Sequence, residues 1–123
     1  MNENEMIKAI IDHTENIKQN DLSFEWFEII QTKWCGRVLL ELCQESPLRF
    51  GELKKRLPEI SNVMLTSALK TLVDKAVVAR KQYAEIPPRV EYSLTEKGKG
   101  MLKIFYEIIR WEEEYSGYEA INN

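Results

Sequence analysis

Residues 61–94 read SNVMLTSALKTLVDKAVVARKQYAEIPPRVEYSL, and the change of hydrophobic period inside that stretch decides the fold. Ser61 precedes a run in which Leu65, Ala68, Leu69 and Leu72 fall within about 100° of one another at 100° per residue, the pattern of a capped amphipathic helix. The same rotation throws Val63, Thr66, Ser67 and Lys70 onto the opposite face. From residue 77 the period drops to two. VVARKQY (77–83) and RVEYSL (89–94) read as strands, the second alternating Val90, Tyr92 and Leu94 against Arg89, Glu91 and Ser93. Pro87 and Pro88 lack an amide hydrogen and cannot sit in a ladder, so they belong to the tip of a hairpin.

The flanks extend this reading. Upstream, RFGELKKRL (49–57) is a short helix with Phe50, Leu53 and Leu57 inward and Lys54, Lys55 and Arg56 outward, stopped by Pro58. Before it, a helix over about 33–45 places Trp34, Val38 and Leu42 on one face and ends ahead of Ser46-Pro47. A further helix, capped by Asp21 or Ser23, carries Phe24, Phe27 and Ile30. Met6, Ile7, Ile10, Ile11 and Ile17 mark an amphipathic N-terminal helix. Downstream, Thr95 caps a last helix with Glu96 at its positive end and Met101, Leu102, Phe105, Ile108, Ile109 and Trp111 along it.

Two short helices followed directly by a two-stranded hairpin describe a winged helix-turn-helix, mainly α with a small β wing. The expectation is a single domain over 1–123, with its core at about 33–95, a recognition helix at about 61–75 and a wing at about 77–94. The two end helices carry more apolar residues than one small core requires, so a homodimer formed through them is expected.

Composition narrows the function. No apolar run approaches the ~20 residues that span a bilayer, and MNENEMIKAI lacks the pattern of a secretion signal, so no membrane and a cytoplasmic location are expected. Cys35 and Cys43 lie eight residues apart on one helix, about 12 Å of rise, too far for a mutual disulfide. With His13 the only histidine and no CxxC pair, no zinc site is expected. There is no Walker loop, GxGxxG, HExxH or GxSxG either, so neither an enzyme nor a cofactor site is expected.

Net charge is −3, but residues 49–103 hold 12 Lys/Arg against 6 Asp/Glu, and the remainder holds 5 against 14. A basic middle between acidic ends can present one cationic surface. Arg49, Lys54 and Lys55 on the first turn helix, and Arg80, Lys81 and Arg89 on the wing, are candidates for phosphate contact with double-stranded DNA. Base reading would fall to Asn62, Val63, Thr66, Ser67 and Lys70. Asn pairs bidentately with adenine, Lys reaches guanine, and Val or the Thr methyl touches the thymine methyl. Two other readings stay open at this point: a winged-helix module that binds protein, and a thiol-responsive regulator using Cys35 or Cys43. A small-molecule or redox effector is also left open.

Four pieces in order, KW at 33–34, RFGELKKRLPEIS at 49–61, MLTSALKTL at 64–72 and IPPRVEYSLTEKG at 86–98, resemble the HxlR-type winged-helix transcriptional regulators, which are similar in architecture to MarR-type proteins. The resemblance implies a homodimeric, operator-binding regulator with its N- and C-terminal helices at the dimer interface. It also implies recognition-helix roles for Asn62, Thr66, Ser67 and Lys70 and a wing role for Arg89. Many members carry a redox-sensing cysteine where this chain has Asp21, and often a basic residue where it has Val63.

Overall fold

The computed structural model describes residues 1–20, 29 and 32–117. The helix expected between Asp21 and Ile30 lies outside the described residues. In chain order the elements are α1 (Glu3–Asn20), α2 (Lys33–Gln44), β1 (Leu48–Arg49), α3 (Phe50–Arg56), α4 (Asn62–Asp74), β2 (Val78–Tyr83), β3 (Arg89–Leu94), α5 (Glu96–Lys99) and α6 (Met101–Glu114). This is a winged helix-turn-helix: α3 and α4 make the helix pair, and β2 and β3 make the wing.

Apolar spacing explains the packing. On α2, Cys35, Val38, Leu39 and Leu42 recur at helical intervals and are buried; on α4, Leu65, Ala68, Leu69 and Leu72 do the same. The two faces meet with Leu53, Leu57, Ile60, Val77 and Val78 in one continuous core, and Trp34, Phe50, Tyr92 and Phe105 pack at its margin. Arg56 binds α3 to α2 through ion pairs with Glu41, at 3.8 Å, and Glu45.

Three expectations are corrected. The hairpin is part of a three-stranded antiparallel sheet of order β1-β3-β2, because Leu48 pairs with Tyr92 and Arg49 with Glu91. A two-residue strand carries no periodicity, so the sequence pattern could not announce it. Arg49 therefore lies in β1 and precedes α3, which begins at Phe50; its backbone N–H donates to the Glu52 carboxylate at 2.9 Å. The last helix is also two helices, α5 and α6, meeting at Gly100.

The caps formed as the sequence predicts. Ser61 Oγ accepts the Met64 N–H at 3.1 Å, and Thr95 Oγ1 accepts the Gly98 N–H at 3.0 Å while donating to the Ala76 carbonyl at 2.6 Å. Thr95 thus joins the end of the wing to the turn that follows α4.

Beyond the core, α1 and α6 leave apolar side chains in solvent. Met6, Ile7, Ile10 and Ile11 are exposed on α1, as are Ile104, Ile108, Ile109 and Trp111 on α6. Among the described residues, no helix is long and apolar enough to cross a membrane.

Candidate nucleic-acid interface

Helix α4 divides its surface as amphipathicity requires. Asn62, Val63, Thr66, Ser67 and Lys70 are all exposed, on the side opposite the buried leucines. Val63 is 80 % exposed, an apolar side chain held in water on the same face as four polar ones. Lys70 Nζ lies 3.2 Å from Asp74 Oδ2 one helical turn on, with both side chains largely in solvent. Such an exposed pair contributes little stability and leaves the lysine free to exchange partners.

Strand alternation sorts the wing cations onto two faces. Val78, Arg80 and Gln82 share a face with their β3 partners Leu94, Tyr92 and Val90. Because Val78 is buried and Tyr92 and Leu94 pack against the core, this face turns toward α4. Arg80 reaches past the core into a cleft of about 240 Å³ that it lines with Thr66, Lys70, Asp74 and Tyr92. The base-reading candidates of α4 and one wing arginine therefore border the same space.

The opposite face of the sheet carries the other cations. Glu91, on the central strand, has Arg49 as its partner on one side and Lys81 on the other. Opposed residues of an antiparallel ladder project to the same side, so one carboxylate sits between two cations. Arg89 and Tyr83, also cross-strand partners, complete this face toward the tip. The Arg89 guanidinium lies 3.9 Å from the Tyr83 ring centre, 3.4 Å from Glu85 and 3.6 Å from Glu91. The Tyr83 hydroxyl donates to Glu91 at 3.2 Å, and Lys81 stands 4.8 Å from the Tyr83 ring centre.

The sequence-derived candidates thus fall into four groups. Asn62, Val63, Thr66, Ser67 and Lys70 gather on α4, with Arg80 across the cleft. Arg49 and Lys81 flank Glu91 on the far face, and Arg89 is engaged within the wing. Lys54, half-buried, and Lys55, exposed, belong to α3.

Sequence reasoning overlooked two features. One is the acidic pair Glu85 and Glu91 around Arg89, which strand parity and the cross-strand register would have exposed. The other is at the start of α2, where Lys33 and Arg37 lie 4.8 and 5.3 Å from the Trp34 ring centre. Trp34 lines, with Cys35, Val63, Met64 and Ser67, a second cleft of about 260 Å³ beside α4. The cue was the KW pair itself, a cation set against an aromatic ring.

Cys35 is buried, 3.9 Å from the Ala68 carbonyl oxygen, and Cys43 is half-buried, where desolvation pushes its thiol pKa up. Among the described residues no cluster of His, Cys, Asp and Glu could hold a metal ion.

The family model described as HxlR-like helix-turn-helix matches residues 29–120. The chain belongs to the HxlR-like family. Its relatives include the uncharacterised HTH-type transcriptional regulator YkvN of Bacillus subtilis, 40 % identical over 92 residues, covering 75 % of this chain and 77 % of YkvN. The HTH-type transcriptional regulator YodB of Bacillus subtilis is 33 % identical over 89 residues, covering 72 % of this chain and 79 % of YodB. Among solved structures, reduced YodB superposes with a TM-score of 0.69 at 32 % identity, covering 76 % of this chain and 91 % of that one. The redox regulator HypR in its reduced form gives 0.66 at 34 %, covering 72 % and 86 %. Membership of the HxlR-like family makes this a DNA-binding transcriptional regulator, a class that is not enzymatic. The α1 helix lies ahead of the family match.

Proposed function

We propose that this protein binds operator DNA as a cytoplasmic homodimer, inserting α4 into the major groove and laying the wing along the backbone. The observation that carries this reading is the shared cleft: Thr66 and Lys70 of the exposed α4 face stand across from Arg80 of the wing. Asn62, Val63, Thr66, Ser67 and Lys70 would read base edges, and Arg49, Lys54, Lys55, Arg80 and Lys81 would neutralise phosphates. The domain is taken as one unit over 1–123, with the DNA-contacting part at about 33–95.

Two-fold pairing is supported by the apolar residues left in solvent on α1 and α6. A self-complementary interface would cover them and set two α4 helices about 34 Å apart, one turn of DNA. The thiol-responsive alternative draws no support from a buried Cys35 and a Cys43 whose pKa is raised. A winged-helix module that binds protein would leave the cationic cleft without a role.

Selection of genomic fragments by the purified protein tests the reading. Enrichment of a discrete inverted-repeat sequence, with affinity that falls steeply as salt rises, is expected. Absence of any retained duplex at low salt overturns it.

A further inference from the structure

Arg89 is, with Arg80 and Lys81, one of the wing candidates for phosphate contact, yet its charge is engaged inside the wing. Glu85 lies 3.4 Å from Nη2, Glu91 lies 3.6 Å from Nε, and the guanidinium plane sits 3.9 Å over Tyr83. Its Nε is buried and has no hydrogen-bond partner among the described residues. The side chain is 28 % exposed, and that of Glu91 is 20 % exposed. Glu91 is fixed in turn by the Tyr83 hydroxyl at 3.2 Å. Arg80 and Lys81, by contrast, are exposed.

Resting on the DNA-binding reading above, we propose that Arg89 is a positioning residue: with Tyr83, Glu85 and Glu91 it braces the wing tip, and the two carboxylates keep its charge from DNA phosphates. The brace joins both strands and the turn, since Tyr83 ends β2, Glu85 lies in the turn, and Arg89 and Glu91 belong to β3. A strut at this point fixes the angle at which β2 offers Arg80 and Lys81. A cation that neutralises a phosphate releases counterions and steepens the dependence of affinity on salt, whereas a strut does not. The two roles therefore separate in one measurement.

The experiment measures the slope of log affinity against log salt for the full-length protein on sheared genomic duplex DNA. Arg80→Ala and Lys81→Ala each lower the slope by about one. Arg89→Gln weakens binding at fixed salt by roughly three- to tenfold, the loss of a cation–π and ion-pair brace, and leaves the slope at the wild-type value. The Glu85→Gln/Glu91→Gln variant keeps the fold's side-chain volumes and frees Arg89, raising the slope by about one. Adding Arg89→Gln to that variant returns it to the wild-type value. A drop of about one in the slope on Arg89→Gln alone overturns the proposal, as does an unchanged slope in the double Gln variant. A wild-type protein that binds no duplex overturns the DNA reading and this inference with it; either slope result in a protein that does bind overturns the inference alone.

Discussion

Gly98 packs so closely on Val77 that a β-carbon at position 98 would overlap the Val77 carbonyl oxygen and stand 3.1 Å from Leu94 Cδ2. The carbonyl is backbone, tied to the Thr95 N–H at 3.1 Å, and cannot swing aside. Gly98→Ala is therefore expected to destabilise the fold by about 2–3 kcal/mol through overpacking, read as a lower denaturant midpoint with an unchanged m-value. The wing leaves the core at this junction, so DNA affinity is expected to fall in the same variant.

Much of this junction was legible in the sequence. Thr95 ahead of Glu96 marked a helix start, and the leucine spacing on α4 marked its buried face; both depend on local periodicity and capping, which a linear reading captures. The strand Leu48–Arg49 was not legible, because two residues have no period and its pairing partner lies more than forty positions away. The break at Gly100 was hidden because the stretch before it, EKGK, is a single turn with no apolar residue to set a period of its own. At the candidate site, the outward face of α4 followed from the same arithmetic as its buried face. The placement of Arg80 on one face of the wing and of Lys81 and Arg89 on the other was not read from the sequence, since consecutive strand residues point to opposite sides and cross-strand carboxylates are invisible to a count of lysines and arginines.

Ser61 isolates the value of a cap from any contact with DNA bases. Its hydroxyl accepts the Met64 N–H at 3.1 Å at the start of α4. Ser61→Ala is expected to cost about 1 kcal/mol, seen in chemical denaturation, and to lower affinity equally for every DNA sequence. Ser61→Asp, which can also accept that bond, is expected to restore most of the stability.

Specificity and affinity should separate between the two sides of the cleft. Among the described residues Lys70 is paired with Asp74 alone, across an exposed 3.2 Å contact, so it can turn to a base edge. Lys70→Ala is expected to remove about 1–3 kcal/mol of discrimination at one operator position. Arg80→Ala is expected to weaken all duplexes alike. Competition binding with a set of single-base operator variants distinguishes the two.

The thiols yield a pH prediction. Burial raises the Cys43 pKa above its ordinary value, so at a given pH less of it is thiolate than of a free cysteine. Alkylation of the folded protein at neutral pH is expected to be slower than that of a model thiol and to accelerate as pH rises toward the elevated pKa. Unfolding is expected to expose Cys35 as well and abolish the difference. The linkage has the matching sign. The stability that Cys43 contributes is full below the unfolded thiol's pKa and is lost as pH rises through the folded one. Mass spectrometry of iodoacetamide adducts over a pH series checks the first part. Rapid modification of either cysteine in the native protein at neutral pH would return the thiol-responsive reading to contention.

Trp111 is the most informative handle on assembly. It is 62 % exposed on α6, near Ile104 and Ile108, with which it borders a groove on that helix. A side chain so open adds little to the core of one chain, yet a tryptophan at the centre of an interface commonly accounts for more than 2 kcal/mol of binding. Trp111→Glu is expected to leave the thermal midpoint of the isolated subunit nearly unchanged and to weaken self-association by about thirtyfold or more. Sedimentation at several concentrations reads the association directly. The same variant is expected to bind a single half-site as the wild-type subunit does while losing the added affinity for the inverted repeat, because two α4 helices no longer arrive together. A wild-type protein that sediments as a monomer at every concentration would remove the two-fold arrangement and leave the exposed faces of α1 and α6 to another partner.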